Sequence, residues 1–460
     1  MKEQLITKDL LKKQNSEMLL SYFSSTREYL SRADDFIKDP RNLRVGLEIE
    51  YSVLTKEFSQ ATESDRNEII KHNPNFFDFE LGAAQLETKT SPIYLNQSGF
   101  KTLESMISNN EKDIREIMKK DGLSLLSSGS NPFVLIPDIK ISNKEKYQKV
   151  PSYHNNNKRA NLETIIDIGN NEFIDVNDAS IISLTNSVQC NIEASGFKDA
   201  INKTNKSFAI GPMAVALSAN ARFLEEKDSK ISDIRMIAWE KSHDTRTDLE
   251  VDLEKVTRIG LPDRYYHNMN DYFSKVGDYP FILHDEEHAF QIAIGLNWRD
   301  TRIKFTTDNS VLVEFRPVST QPTPAENIAI MLFYIGRLNW STLHDEPLMD
   351  LKLVKKNRDQ AMYYGLKANL WTNIEGSVSP VILPAKAALS IELKKSHEGL
   401  SSFGFSKQEI DNYLSILEKR IKNEETPSDK LVTRFYDYRD QNCSKKDSLV
   451  KSLKDQGGLI

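Results

Sequence analysis

Apolar and polar positions alternate with a period of two along several short stretches of this chain, the pattern of strands with one buried and one polar face. In Val45-Gly46-Leu47-Glu48-Ile49-Glu50-Tyr51 the two acidic side chains fall on the same side. They are spaced about 7 Å apart along the strand and repel each other unless positive charge lies between or above them. Gln85-Leu86-Glu87-Thr88-Lys89 alternates likewise, putting Gln85, Glu87 and Lys89 on one face, and the run ends at Pro92. From Thr185 to Ser195, Ser187, Gln189, Asn191 and Glu193 form a polar face, and Val188, Cys190, Ile192 and Ala194 a core face. Residues 302–305 and 311–316 flank the turn Asp308-Asn309-Ser310 and read as a hairpin in which Leu312, Glu314 and Arg316 share a face. Residues 76–81 and 123–126 have weaker strand character.

Helical spacing accounts for much of the remainder. Residues 8–38 carry Leu10, Leu11, Leu19, Leu20, Tyr22, Phe23, Leu30 and Phe36, and Asp39-Pro40 stops the pattern. Residues 103–118 fit a helix with Lys119-Lys120 in its last turn and Gly122 beyond. An alanine-rich helix is expected over 212–224, starting at Pro212, a favoured first position. A helix over 231–241 places Arg235 and Trp239 on one face. Another covers 326–340, and the capping box Ser406-Lys407-Gln408-Glu409 opens an amphipathic helix to Ile421. Residues 138–174, rich in Asn and Lys and without periodicity, read as a long surface loop.

Composition narrows the class. The 460 residues carry 67 acidic and 61 basic side chains, a net charge of −6, mixed along the chain rather than gathered in blocks. That argues against general affinity for nucleic acid or an anionic membrane. Two cysteines, Cys190 and Cys443, support neither a disulfide framework nor a cysteine zinc site. The start, Met1-Lys2-Glu3-Gln4, is charged, and the longest apolar run, Ile328 to Ile335, is far below a membrane span. A cytoplasmic protein is expected.

No phosphate-binding P-loop and no Gly-x-Gly-x-x-Gly fingerprint occurs. His284-Asp285-Glu286-Glu287-His288 matches a metalloprotease pattern but reads as a solvated helix start. More telling are the polar-faced strands with Glu48 and Glu50, with Gln85, Glu87 and Lys89, with Gln189 and Asn191, and with Glu314 and Arg316. In one curved antiparallel sheet they would line a concavity rich in oxygen donors, which selects magnesium or manganese over zinc. The cations Arg235, Arg246, Arg302, Lys304 and Arg316 suit a phosphoryl group in transfer, where positioning and charge stabilisation do most of the catalysis. Plainer roles compete. Arg235 and Trp239 could form a packing pair, and Arg316 could neutralise Glu314 or Glu50. Gln189 reads as a hydrogen-bonding wall residue.

Six blocks in order resemble the glutamate–cysteine ligase family, especially its plant and bacterial type-2 branch. They are Gly46-Leu47-Glu48-Ile49-Glu50; Gln85-Leu86-Glu87 with Thr90-Ser91-Pro92; Ser187-Val188-Gln189-Cys190-Asn191-Ile192; Ala216 to Ala221 with Arg235 and Trp239; Asp244-Thr245-Arg246-Thr247; and Val313-Glu314-Phe315-Arg316. The likeness runs over roughly residues 43–375. It implies an α+β, glutamine-synthetase-like fold, a curved antiparallel funnel with helices outside. It also implies ATP and Mg2+, with the γ-carboxylate of glutamate phosphorylated and then attacked by an amine, cysteine first among candidates.

On the matching positions, Glu48, Glu50, Glu87 and Glu314 are expected as metal ligands, and Arg235, Arg246 and Arg316 as holders of phosphate and substrate carboxylate. Arg302, Lys304, Gln189 and Asn191 are expected on the cofactor side. The expected division is a helical lead-in at 1–40, a catalytic domain at 41–400 and a helical extension at 401–460. The loop at 138–174 is a candidate cover that excludes water from the acyl phosphate. Residues 197–206 and 250–300 match nothing in the family, which leaves the acceptor pocket unassigned. Competing readings are a ligase with a different acceptor, a two-metal hydrolase, and a nucleotide-binding relative without turnover.

Overall fold

The computed structural model describes residues 2–95, 99–374 and 377–459, leaving out the side chains of 2–14, 120 and 121. Its centre is an eight-stranded antiparallel sheet whose strands are β1 (Arg44–Leu54), β2 (Phe77–Phe79), β3 (Gln85–Lys89), β4 (Ile93–Tyr94), β5 (Ser124–Leu126), β6 (Ser187–Ala194), β7 (Thr301–Phe305) and β8 (Val311–Ser319). The order is β7-β8-β6-β1-β3-β2, with β4 and β5 added to opposite ends of β1. The period-two pattern dictates this layout, because each strand turns its apolar set to the same side.

Val45, Leu47, Ile49, Val188, Cys190, Ile192, Val313 and Phe315 are all 2 % exposed or less. Helices Phe197–Ser218 and Pro324–Leu343 cover this face, and the Phe315 ring stacks on Tyr334 at 3.8 Å. Each large apolar side chain so buried contributes about 1.5–3 kcal/mol. The polar sets point the other way, into a concavity. Cys190 is a buried packing residue, as its strand position requires.

Two expectations need correction. The helix expected over 212–224 is Phe197–Ser218, with Pro212 in its interior. Polar residues in its first half disguise the pattern, and several find buried partners: Asn205 donates to Tyr266 O at 2.8 Å, Lys206 to Ser341 O at 2.9 Å, and Ser207 Oγ lies 2.8 Å from the Tyr334 hydroxyl. Nor is 138–174 a structureless loop. It holds the helix Glu145–Asn156, which buries Val150, Pro151 and His154, and a hairpin of Ile165–Gly169 with Glu172–Asp175. The helix has too few apolar positions, and the hairpin arms are too short, for either period to register in the sequence.

The other helices delimited in the sequence lie close to their expected bounds, and the structure adds Glu63–His72, Leu351–Tyr364 and Ala385–Ser401. Lys2–Ser31 packs Met18 and Tyr22 into a second core with Phe273 and Phe290; the side chains of Leu10, Leu11 and Lys120 lie outside the described residues. The Ser406–Glu409 capping box closes in both directions, and Ile410, Leu414, Leu417 and Ile421 of its helix join the main core. Helices Pro427–Asp440 and Lys445–Asp455 form a third cluster with Leu54 and Leu126. Among the described residues no helix is long and apolar enough to cross a membrane.

Candidate active site

The register of the sheet sets polar side chains in rows across its concave face. Glu50 of β1 stands opposite Glu87 of β3, and Glu48 is flanked by Lys89 on β3 and Gln189 on β6. Glu314 of β8 stands opposite Asn191 on one side and Arg302 on the other. Two carboxylates placed directly across a ladder destabilise it unless a cation is shared between them.

A third carboxylate joins the first pair. Glu80 follows directly on β2, and oxygens of Glu50, Glu80 and Glu87 lie within 4.8 Å of one another. The turn that delivers Glu80 needs Gly82, where a Cβ would come within 2.9 Å of the Ser183 carbonyl oxygen. Burial pushes the Glu50 carboxyl up to about 7, and Glu80 adds to the push. Glu87 is raised well above the ordinary range by burial and by Glu48, Glu80 and Glu50 together, and burial also raises Glu80. Glu50 is held in place by the Ser187 amide at 2.6 Å, the Ser187 hydroxyl at 3.0 Å and the Gln189 amide at 3.0 Å. Gln189 therefore acts as the wall residue that its chemistry suggests.

At the other end of the face the balance reverses. The buried Glu314 carboxylate is gripped by both Arg302 Nε and Nη2, by Lys304 at 2.9 Å and by Arg316 at 3.5 Å. Burial alone would raise its pKa, but Arg302, Lys304 and Arg316 outweigh burial and hold it below the usual carboxylate range. Lys304 also reaches Glu48 at 3.3 Å, and Arg302 donates to Gly295 O at 2.7 Å. Arg316 has no carboxylate nearer than Glu314, so it is the least committed cation of the three. Among the described residues the buried Asn191 Oδ1 beside Glu314 has no hydrogen-bond partner.

Glu48, Glu50, Glu80, Glu87, Gln189, Arg302, Lys304 and Arg316 line a cavity of about 520 Å³ together with Trp239 and Trp298, with Glu314 and Asn191 buried behind that lining. Tyr147 and Val150 of the helix Glu145–Asn156, and Gln291 and Ile292 of the helix Ala289–Gly295, close over it. Hard oxygen donors whose carboxylate forms are disfavoured by burial and by one another are the donor set that a divalent magnesium-like ion satisfies. The unpartnered Asn191 oxygen adds one more acceptor on the same face.

Two of the expected arginines stand elsewhere. Arg235 is buried behind the wall, donating to Pro317 O at 2.6 Å and Ser319 Oγ at 3.3 Å, so it braces the β8 bulge that carries Arg316. It lines a small pocket that touches Glu50 and Arg316. Its partner in the expected pair, Trp239, donates to Thr185 Oγ1 at 2.9 Å instead. Arg246 does not line the carboxylate cavity. It is paired with Asp244 through two bonds of 2.9 and 2.7 Å, because the Asp-x-Arg spacing lets the loop close on itself. Glu80 was not singled out in the sequence, although the alternation Phe77-Asp78-Phe79-Glu80 carried the signal. The five residues from His284 to His288 are all exposed, ahead of a short helix, and make no metal cluster among the described residues.

A curved antiparallel sheet with a carboxylate-lined concavity and helices outside is the glutamine-synthetase-like ligase fold. A family model, glutamate–cysteine ligase family 2, matches residues 44–451, and the chain belongs to that family of ligase-like enzymes. The match extends past the region where the sequence blocks are recognisable, through the C-terminal helices. Among solved structures, the chain is similar to a glutamate–cysteine ligase from Francisella tularensis in complex with AMP, at 14 % identity and a TM-score of 0.56, covering 92 % of this chain and 90 % of that one. It is also similar to a bifunctional glutathione synthetase from Pasteurella multocida, at 12 % identity and a TM-score of 0.54, covering 91 % of this chain and 52 % of that one, so it spans about half of that enzyme. At these identities the likeness is one of fold. No curated protein matches.

Proposed function

We propose that the protein is an ATP-dependent ligase joining the γ-carboxylate of glutamate to an amine, with cysteine the favoured acceptor and γ-glutamylcysteine the product. Family membership and the fold shared with a ligase crystallised with AMP support the class. The observation that carries the reading is the convergence of Glu50, Glu80 and Glu87 in one cavity with Lys304 and Arg316.

In this reading Glu50, Glu80 and Glu87 would hold Mg2+, with Glu48 lining the same cavity. The metal when bound supplies charge neutralisation for the nucleotide phosphates. Arg316 and Lys304 hold the transferring phosphoryl group, while Arg302 and Glu314 fix Lys304 and Arg316 in place. Ser187 and Gln189 keep the Glu50 carboxylate aimed at the cavity. Phosphorylation of the γ-carboxylate gives a carboxylate the leaving group it lacks, and the amine then displaces phosphate from the acyl phosphate. Tyr147 and Val150 exclude water that would hydrolyse it. Arg235 acts through the β8 bulge as a positioning residue. We assign the catalytic unit to residues 41–400, with helical additions at 1–40 and 401–460, acting in the cytoplasm on small-molecule substrates.

Purified protein given Mg-ATP and glutamate is expected to release ADP when cysteine is added, with a γ-glutamyl product by mass spectrometry. Absence of ADP with every common amino acid and amine would overturn the assignment, and turnover without ATP would favour a two-metal hydrolase.

A further inference from the structure

A second cavity, of about 680 Å³, lies beyond the Trp239 and Trp298 wall of the carboxylate cavity. Trp239 and Trp298 line the first cavity and pack against residues of the second: the His243 ring lies 5.4 Å from Trp239, and the Arg258 guanidinium 5.8 Å over Trp298. A small pocket links the two, sharing Glu50 and Arg316 with the first and Arg299 with the second.

Arg258 and Arg299 line this second cavity and are only 6 % and 3 % exposed. Arg258 donates to Pro280 O at 2.8 Å, and Arg299 to Ile259 O at 3.0 Å, to Leu261 O and to the Tyr279 hydroxyl. Among the described residues neither has a carboxylate partner. Three other buried arginines do, Arg337 with Glu346, Arg358 with Asp300 and Arg420 with Glu326, whereas Arg235 is likewise bonded to carbonyl and hydroxyl oxygens. Of the four acidic residues that line this cavity, Asp263 pairs with Lys275 at 2.7 Å, Glu250 with Lys255 at 3.3 Å and Asp278 with Lys275 at 3.8 Å, and Glu254 pairs with neither arginine. Two buried cations with no counter-charge are costly, and an anion from outside the chain would relieve them. Burial, with Arg299 beside it, pulls the Arg258 guanidinium down to about 10, which marks the same deficit. His243 Nε2, buried in the same wall, also lacks a partner.

We propose that this cavity binds a carboxylate carried by one of the two small-molecule substrates, the α-carboxylate of glutamate or that of the acceptor amino acid, with Arg258 and Arg299 as its counter-charges. The proposal rests on the ligase reading for its substrates. It gives a role to the 250–300 stretch and makes the reaction select an amino acid over the same amine lacking a carboxylate.

The test uses Arg258→Gln and Arg299→Gln with steady-state ADP release, comparing L-glutamate with 4-aminobutanoate and L-cysteine with cysteamine. For one of the two amino acids kcat/KM is expected to fall on the order of 10- to 100-fold, through KM, and at least 10-fold more than for its decarboxylated analogue. Which amino acid responds identifies the source of the carboxylate. Arg258→Lys, which keeps the charge, should recover part of the loss and serves if the glutamine variants do not fold. Equal losses for acid and analogue, a change confined to KM for ATP, or no change in either variant would each overturn the proposal.

A thermal-shift arm without ATP separates this proposal from the ligase reading. The responding amino acid should raise the melting temperature of the wild type but not of Arg258→Gln. If ADP release is absent altogether the ligase reading fails, and this arm still decides the carboxylate site: a shift retained in the variant, or absent from the wild type with both amino acids, rejects it.

Discussion

The two ends of the concave sheet face are built from the same residue types and hold opposite charge balances. At one end three carboxylates, Glu50, Glu80 and Glu87, crowd within 4.8 Å, and the nearest cation, Lys89, lies 3.7 Å from Glu87 while also serving Asp78. At the other end a single carboxylate, Glu314, is surrounded by Arg302, Lys304 and Arg316. The first arrangement is incomplete without an added cation, whereas at the second the chain itself surrounds the carboxylate with an excess of positive charge. A carboxylate in an active-site wall can thus be either a ligand or a brace, and its neighbours decide which.

The largest expected difference between the two ends is in chemistry. Glu87→Gln should lower Mg2+-dependent ADP release on the order of 1000-fold, with a melting temperature unchanged or raised because a like-charge contact is relieved. Glu314→Gln should do its main damage to folding, costing about 3 kcal/mol in urea unfolding, since three partly buried cations lose the carboxylate they share. If the two variants exchanged these signatures, the assignment of ligand and brace would be reversed.

A pH series sharpens the contrast further. Glu50 has its pKa raised in the folded protein to about 7 from an ordinary 4.5. Its contribution to stability is therefore fully present below the unfolded value and is lost as pH rises through about 7. In chelator the protein should lose up to about 3 kcal/mol from this group between pH 5 and pH 8, and Mg2+ should restore more stability at pH 8 than at pH 5, as calorimetric melting would read. A metal-free protein equally stable at both values would argue that the three carboxylates are not crowded. The smallest effect is expected at the protease-like stretch, where the exposed His288→Ala should change stability by less than about 0.5 kcal/mol and leave metal dependence untouched.

The sheet was legible because its strands alternate cleanly and turn their apolar sets one way, and the same alternation placed Glu48, Glu50, Glu87, Gln189 and Glu314 on one face. Glu80 escaped because it lies just past the end of the three-residue β2, where periodicity gives little purchase. The helix Phe197–Ser218 was read from its proline onward because burial rather than pattern satisfies its polar first half. Arg246, expected from the resemblance to hold phosphate or substrate carboxylate, lines the second cavity, and the sequence does not show that Asp244 holds it there. Arg258 and Arg299 carry no sequence signal, since their interest lies in the absence of a partner, which only packing reveals.

The most direct measurement is Mn2+ binding to the nucleotide-free protein by electron paramagnetic resonance, in the wild type and in Glu80→Gln. Convergence of Glu50, Glu80 and Glu87 on one cation predicts a wild-type site that the substitution weakens at least about 10-fold. Equal affinity in the two proteins would contradict it.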